Sequence, residues 1–270
     1  MQDDEINGRS CFAVGVTKSV DSIRSYQCID RPGALIPLRT LFIGDLHGCA
    51  REFEQLLSKL AFQRGTDLLY LTGDAFSRGP DPVDVWKLIQ DTGARMVLGN
   101  HDYRLADRLR RHLSGATVPT RSPNTLQTLE ALAPCADALI PWLESLPLWV
   151  DEPEFLLVHA GINPEKGFHG TTTEEFLVIR TWPPVDGIEG PRWHDAYDPS
   201  GKLIIFGHDA PGGLVIKRRD DGSPYVIGLD SGCIYGGQLS GYVLQEDSLV
   251  QVESSHPRSM RPDSGPSTLS

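Results

Sequence analysis

The segment TLFIGDLHG, residues 40–48, decides the fold of this chain. Its first four residues form a short continuous apolar run, which is typical of a strand that is buried on both faces. Gly44 ends the run, and two polar side chains, Asp45 and His47, follow at once. The segment therefore predicts a strand whose carboxyl end carries functional groups.

The same pattern of an apolar run followed by a polar motif recurs four times. The runs at 67–71, 95–98, 155–158 and 203–206 are each predicted to be strands. The motifs that follow them are, in order, GDAFSRG from Gly73, GNHD from Gly99, HAG from His159 and GH from Gly207. Because loops at the carboxyl ends of neighbouring strands converge in open α/β sheets, we expect one shared site.

Amphipathic segments lie between these strands. The segment 52–60 has apolar residues at helical spacing, and a further helix is predicted over 103–113. The alternation predicts one α/β domain over 38–253. A loosely ordered extension, 1–37, is expected before it, and a disordered tail rich in Ser and Pro, 254–270, after it.

Charge and cysteine content exclude several classes of protein. The formal net charge of -11 argues against general nucleic-acid binding. No apolar run is long enough for a membrane span, and the amino terminus lacks the apolar region of a signal peptide. The odd number of cysteines and the absence of CxxC spacing favour a reducing compartment, so we expect a cytoplasmic protein. The cysteines are Cys11, Cys28, Cys49, Cys135 and Cys233.

The polar motifs supply six potential metal ligands. All offer an oxygen or an imidazole nitrogen, and none is a thiolate, a set that suits Mn, Fe, Zn, Co or Mg. The six are Asp45, His47, Asp74, Asn100, His159 and His208.

These motifs resemble the signature blocks of the metallophosphoesterases of the phosphoprotein-phosphatase-like (PPP) superfamily, over about 41–244. GHDAPGGL from Gly207 and GLDSGCIYGGQLSGY from Gly228 are similar to the closing motifs of its diadenosine tetraphosphatase (ApaH-like) branch, as is RGPDP from Arg78. The resemblance implies an α/β fold of two mixed β-sheets packed face to face, with flanking helices.

The resemblance also implies two divalent metal ions, of which manganese is expected. One ion would be held by Asp45, His47 and Asp74, and the other by Asp74 and the three remaining ligands. In such a site a hydroxide that bridges the metals attacks phosphorus in line. Asp74 would therefore be the bridging ligand.

Five further residues receive roles from the resemblance or from their position. Arg78 and Arg180 match phosphate-binding arginines, and His101 matches the general acid that protonates the departing oxygen. Arg104 and Arg108 lie on one face of the helix after GNHD. That face either binds phosphates beyond the scissile one or is a solvated basic surface.

Ser77 departs from the protein-phosphatase branch, in which an acid at this position supports the general-acid histidine. The partner of His101 is therefore open, and Asp102 is a candidate. Weak general-acid assistance matters less for a phosphoanhydride, which has a good leaving group. Ser77 thus favours a nucleotide polyphosphate over a phosphoprotein.

Aromatic residues after Arg180 have two interpretations. Trp182, Trp193 and Tyr197 either stack on a base or pack in the core. Tyr235, in the closing motif, is given no chemical role, and neither is Cys233.

The expected activity is hydrolysis of a phosphoanhydride in a dinucleoside polyphosphate such as diadenosine tetraphosphate. The alternatives are a protein serine/threonine phosphatase and an endopolyphosphatase. A scaffold without activity would normally have lost ligands, whereas all six positions are filled here.

Overall fold

The structure is a computed structural model that describes residues 29–30, 34–35, 38–119, 124–185 and 189–258. Strands β1 (Ile29–Asp30) and β2 (Ala34–Leu35) form a small antiparallel pair. The rest of the predicted extension 1–37 lies outside the described residues, as does the tail from residue 259.

The first five-stranded sheet contains the segment that opened the sequence analysis. Its strands are ordered β12-β11-β3-β4-β5. Strands β3, β4 and β5 are parallel to one another, β11 is antiparallel to β3, and β12 is antiparallel to β11. These strands are β3 (Thr40–Ile43), β4 (Leu68–Leu71), β5 (Arg95–Met96), β11 (Gln238–Val243) and β12 (Ser248–Glu253).

The second five-stranded sheet has the order β6-β7-β8-β10-β9. Strands β7, β8 and β10 are parallel, and the edge strands β6 and β9 are antiparallel to them. The strands are β6 (Trp149–Asp151), β7 (Phe155–Val158), β8 (Leu203–Phe206), β9 (Val215–Arg218) and β10 (Pro224–Gly228).

Helices cover the outer faces of the two sheets. They are α1 (Ala50–Lys59), α2 (Pro82–Thr92), α3 (Asn100–Leu113), α4 (Asn124–Leu132), α5 (Ala136–Ser145), α6 (Gly167–Gly170) and α7 (Thr173–Val178). Helices α1 to α5 share one apolar cluster with the first sheet, and α7 shares another with the second. Among the described helices, none has the length and apolarity to span a bilayer.

An aromatic trio joins the two sheets at their inner faces. Phe42 stacks on Tyr70 in the first sheet, with ring centroids 5.5 Å apart. Phe155 of the second sheet meets both rings edge-on, at 4.8 and 5.4 Å. All three side chains are buried, so the sheets pack face to face through a dry aromatic core.

The predicted fold class is confirmed, with differences at element ends. The helix predicted over 103–113 begins three residues earlier, at Asn100, because extended Gly99 precedes the first helical turn. The third strand ends at Met96 rather than at residue 98. Edge strands β6 and β9, which the sequence analysis missed, are short and less buried, so neither has a continuous apolar run.

The segment predicted to be a disordered tail, 254–270, begins with residues that contact the domain. Ser255 donates from its backbone N and its Oγ to Glu52 Oε1, at 2.7 and 2.6 Å. Glu52 lies in α1, so Ser255 is bonded directly to that helix.

The aromatic trio predicts the effect of a core substitution. Phe155→Ala removes the ring that contacts both partners, and we expect it to lower the free energy of unfolding by about 3–5 kcal/mol. The exposed Leu126 supplies a control, since Leu126→Ala should change it by less than about 0.5 kcal/mol. Urea unfolding measures both, and equal losses would contradict the proposed role of the trio.

Candidate metal centre

The carboxyl ends of the parallel strands from both sheets meet at one edge of the sandwich. The loops after β3, β4 and β5 carry ligands from the first sheet, and those after β7 and β8 carry ligands from the second. The six predicted ligands are brought together there, and all six are buried.

The side chains of the first ligand group all come from the first sheet. Ligand atoms of Asp45, His47 and Asp74 all lie within 4.8 Å of one another. His47 Nε2 is 3.7 Å from Asp74 Oδ2. Asp45 is held from behind, because it accepts hydrogen bonds from Thr72 Oγ1 at 2.8 Å and from the backbone N of His208 at 3.0 Å.

The second ligand group joins the two sheets. Ligand atoms of Asp74, His159 and His208 also lie within 4.8 Å of one another. Asn100 Oδ1 is 3.1 Å from His159 Nε2 and 3.1 Å from His208 Nδ1. Asp74 therefore belongs to both groups, which is the arrangement required of a bridging ligand.

The tautomer of His159 shows that its ring suits a cation. Nδ1 lies 2.8 Å from the carbonyl oxygen of Thr72, which accepts only, so Nδ1 carries the proton. Nε2 then presents a lone pair towards Asn100 Oδ1 and towards Asp74 Oδ1, 3.6 Å away. Three acceptors that face one another without a proton between them repel unless a cation lies among them.

His208 also faces the centre of the group. Its Nδ1 lies 3.1 Å from Asn100 Oδ1, and the ring also interacts with the backbone of Val178. The oxygen and nitrogen atoms of the group fit divalent metal ions. A hydrogen bond on the far side of a ligand ring, such as that from His159 Nδ1 to the carbonyl oxygen of Thr72, fixes the orientation of the ring.

Burial sets the protonation of the imidazoles. Burial lowers the pKa of His47 to about 3, with a further contribution from Arg78. It also lowers the pKa of His159 and of His208. Neutral rings with a free lone pair are the form that binds metal, so these rings need lose no proton on binding.

The carboxylates are crowded in a way that a cation would relieve. Burial, together with Asp230 and Asp74, raises the pKa of Asp45 well above its usual value. Burial alone would raise the pKa of Asp74 too, but His159, His101 and His47 outweigh it and lower that pKa. Burial raises the pKa of Asp230 to about 6. Asp230, in the loop after β10, was not recognised as part of the site from the sequence.

Strained backbone is concentrated at the site. Six non-glycine residues within the described ranges have positive φ, and four of them are His47 (45°), Asp74 (52°), Arg78 (76°) and His208 (65°). Such conformations persist where the surroundings impose them, and they cluster at functional sites. Gly207 lies against Asp45 and Thr72 so closely that a Cβ would overlap both side chains.

Arg78 and His101 lie beside the first ligand group. Arg78 Nη2 is 2.9 Å from His101 Nε2, and Nη1 is 3.3 Å from His47 Nε2. His101 Nε2 lies 4.0 Å from Asp74 Oδ2. Both predicted residues therefore contact the ligands, on the side of the first sheet.

Arg180 lies beside the second ligand group. Its Nη2 donates to the carbonyl oxygen of His208 at 3.2 Å. Asp209, the next residue, lies 3.6 Å from Arg180 Nε and 2.7 Å from Arg192 Nε. Asp209 thus holds two guanidinium groups near the site, a role that its position after GH does not reveal in the sequence.

The side chains of Ser77 and Asp102 both contact residues other than His101. Ser77 Oγ lies 3.0 Å from His47 Nδ1. Asp102, which was considered as a substitute partner, instead accepts from the backbone N of Asp74 at 2.6 Å and of Ala75 at 3.2 Å. The first turn of α3 points Asp102 inward to the β4 loop, so it supports the bridging ligand rather than His101.

The aromatic residues after Arg180 are engaged with the protein. Trp193 is buried in the core, and its Nε1 donates to the carbonyl oxygen of Ala160 at 3.1 Å. Tyr197 donates to the carbonyl oxygen of Lys202. Of the two interpretations, core packing is therefore the correct one for Trp193. Trp182 is a half-buried indole whose Nε1 donates to Glu165 at 3.2 Å, and it remains a candidate for stacking on a base.

The fold and this ligand set define a class of protein. The model of the calcineurin-like phosphoesterase family matches residues 38–244, and the chain belongs to that family. The resemblance drawn from the motifs is thus confirmed. Membership in a family of phosphoesterases indicates a hydrolase that acts on phosphorus-containing bonds with divalent metal ions.

Particular relatives are named symmetrical bis(5'-nucleosyl)-tetraphosphatase. The one from Serratia proteamaculans is 31% identical over 260 residues, covering 75% of this chain and 90% of that protein. The one from Photorhabdus laumondii is 42% identical over 134 residues, covering 47% of this chain and only 46% of that protein. A crystal structure of a candidate diadenosine tetraphosphatase is 28% identical, covers 81% of this chain and 95% of its own, and gives a TM-score of 0.62.

Asp74 is the ligand shared by both groups. Asp74→Asn keeps an oxygen for the backbone N of His101, which donates to Oδ1 at 2.8 Å, but removes the negative charge. We expect bound metal to fall from two ions per chain to fewer than one and turnover to drop at least about 1,000-fold. Elemental analysis measures the metal. Asp84→Asn, on an exposed carboxylate, is the control, and near-wild-type activity of Asp74→Asn would rule out the two-metal site.

Asp102 supports the strained loop of Asp74. Asp102→Asn places an amide N–H against backbone N–H groups, because only one of its side-chain atoms can accept. We expect a loss of about 1–3 kcal/mol of unfolding free energy, and weaker metal binding. Thermal unfolding with and without metal checks this, and unchanged stability in both would contradict the proposed support.

Proposed function

We propose that the chain hydrolyses a phosphoanhydride bond in dinucleoside polyphosphates of the diadenosine tetraphosphate type. The observation that carries the proposal is the set of three arginines Arg78, Arg104 and Arg108, here called the arginine row. Arg78 lies beside His47, and Arg104 and Arg108 lie one turn apart on α3, the helix that begins at Asn100. A substrate with a single phosphate needs only the residues beside the metal ligands. A polyphosphate chain carries further negative charges, which Arg104 and Arg108 can bind.

The two helix arginines are close enough to affect each other. Burial, and then the neighbouring charge of Arg104, lower the pKa of Arg108. Arg104 in turn contributes to the lowered pKa of His101, after burial, Arg78 and His47. Like charges that are held together on a partly buried helix face repel, and a bound anion would relieve that repulsion.

Divalent metal ions, when bound, would supply an activated water and neutralise phosphate oxygens. The residues of the chain supply the rest. Arg78 and Arg180 donate to the oxygens of the phosphoryl group from opposite sides of the ligand groups, and so orient it. In this structure His101 Nε2 accepts from Arg78 Nη2 at 2.9 Å. Once the phosphoryl oxygens take over that hydrogen bond, Nε2 takes up a proton from solvent, which the bound anion favours, and passes it to the departing oxygen. The names of the relatives support a dinucleotide as the substrate.

Product analysis tests the proposal. The manganese-loaded chain is incubated with diadenosine tetraphosphate and, separately, with a phosphoserine peptide and with inorganic polyphosphate. We expect ADP as the only nucleotide product and no phosphate from the peptide. Release of phosphate from the peptide alone would favour a protein phosphatase, and shortening of polyphosphate alone would favour an endopolyphosphatase.

The helix arginines give a test of substrate class. Arg108→Gln should raise the KM for diadenosine tetraphosphate about tenfold, because a charge-assisted hydrogen bond to a distal phosphate is lost. Hydrolysis of p-nitrophenyl phosphate, which has one phosphate, should not change. Arg111→Gln on the same helix is the control, since Arg111 pairs with Asp107 at 2.7 Å. An equal loss with both substrates would contradict this role.

A further inference from the structure

Arg78 has three contacts in the structure, and they are not equivalent. Besides the ring nitrogens of His47 and His101, Arg78 Nη1 donates to Tyr235 Oη at 2.5 Å. The guanidinium carbon also lies 5.6 Å from the centroid of the Tyr235 ring. Tyr235 thus contacts the guanidinium through both its hydroxyl and its ring.

The contact with His47 is incompatible with a metal ligand. Nδ1 of His47 is hydrogen-bonded to Ser77 Oγ, and Nε2 is the ring nitrogen that faces Asp74. One lone pair cannot accept from Arg78 and bind an ion at the same time. When Nε2 binds an ion, Nη1 of Arg78 keeps only the Tyr235 hydroxyl among its described partners.

Tyr235 is held in a rigid turn. The 3₁₀ turn Cys233–Tyr235 is bounded by Gly232 (φ 74°) and Gly236 (φ 79°), both in the left-handed region that favours glycine. A Cβ on Gly236 would lie 2.7 Å from the backbone of Arg258. Burial raises the pKa of Tyr235, so its hydroxyl stays protonated and neutral, with oxygen lone pairs for Arg78.

We propose that Tyr235 is the positioning residue that holds the Arg78 guanidinium in its phosphate-binding orientation once His47 is engaged by metal. The inference rests on the proposed function only in that Arg78 binds the phosphoryl group, whichever compound carries it. Arg78 has positive φ and four side-chain torsions. Its orientation therefore depends on contacts at its end. His101 contacts Nη2, and Tyr235 supplies the one contact at Nη1 that metal binding leaves intact.

The test is Tyr235→Phe, which keeps the ring and removes the hydroxyl. Calorimetry of inorganic phosphate binding to the metal-loaded full chain should give a dissociation constant about tenfold weaker than that of the wild type, as expected for a lost hydrogen bond to a charged group. In an Arg78→Lys background the same substitution should change it less than about twofold. Unchanged affinity, or an equal loss in both backgrounds, would overturn the proposal.

A second measurement needs no turnover. In the chain loaded with diamagnetic zinc, in which His47 no longer accepts from Arg78, the ¹⁵N guanidinium resonances of Arg78, identified by their loss in Arg78→Lys, should report restricted rotation that Tyr235→Phe relaxes. Equal rotation rates in the two zinc-loaded proteins would contradict the positioning role.

Tyr242→Phe is the matched control. It also removes a hydroxyl bonded to a charged side chain, since Tyr242 donates to Asp247 at 2.8 Å, but Tyr242 lies in β11 and outside the site. It should lower stability and leave phosphate affinity unchanged. Because inorganic phosphate carries no nucleotide, a chain that releases no ADP would refute the proposed function and leave the test of Tyr235 valid.

Discussion

The rest of the structure depends on one constraint, the convergence of unprotonated acceptors around Asp74. The lone pair of His159 Nε2, Asn100 Oδ1 and the Asp74 carboxylate face one another in a buried space. These acceptors repel one another without a cation, so other contacts of the fold must hold them close together. Asp102 and Thr72 supply the hydrogen bonds that keep the ligands in place. Both sheets must present their strand ends at the same edge for this to occur.

Much of the fold and of the ligand set could be predicted from the sequence because the signals are local. An apolar run and the polar motif after it lie within about ten residues, and strand ends in α/β folds converge by a general rule. Asp45 and His208, which the structure brings into the candidate metal groups, were identified in this way. Edge strands β6 and β9 were missed because their side chains are only partly buried, which leaves no clear period.

Roles that depend on side-chain direction could not be predicted. Asp102 follows His101 directly, yet helix geometry turns the two residues to different partners. Ser77 precedes Arg78 but contacts His47. Asp209 and Tyr235 act on arginines far away in the chain, Arg180 and Arg78, and no sequence spacing encodes those pairs. Trp193 had two interpretations until its burial distinguished them.

The division of ligands between the sheets makes the two ion positions unequal partners in folding. The side chains of Asp45, His47 and Asp74 all come from loops after β3 and β4, although the backbone N of His208 also holds Asp45. The group with His159 and His208 forms only when the second sheet docks. An ion bound in the latter group would therefore connect the two sheets and stabilise their packing by mass action. The metal concentration would then affect how firmly the two sheets stay joined.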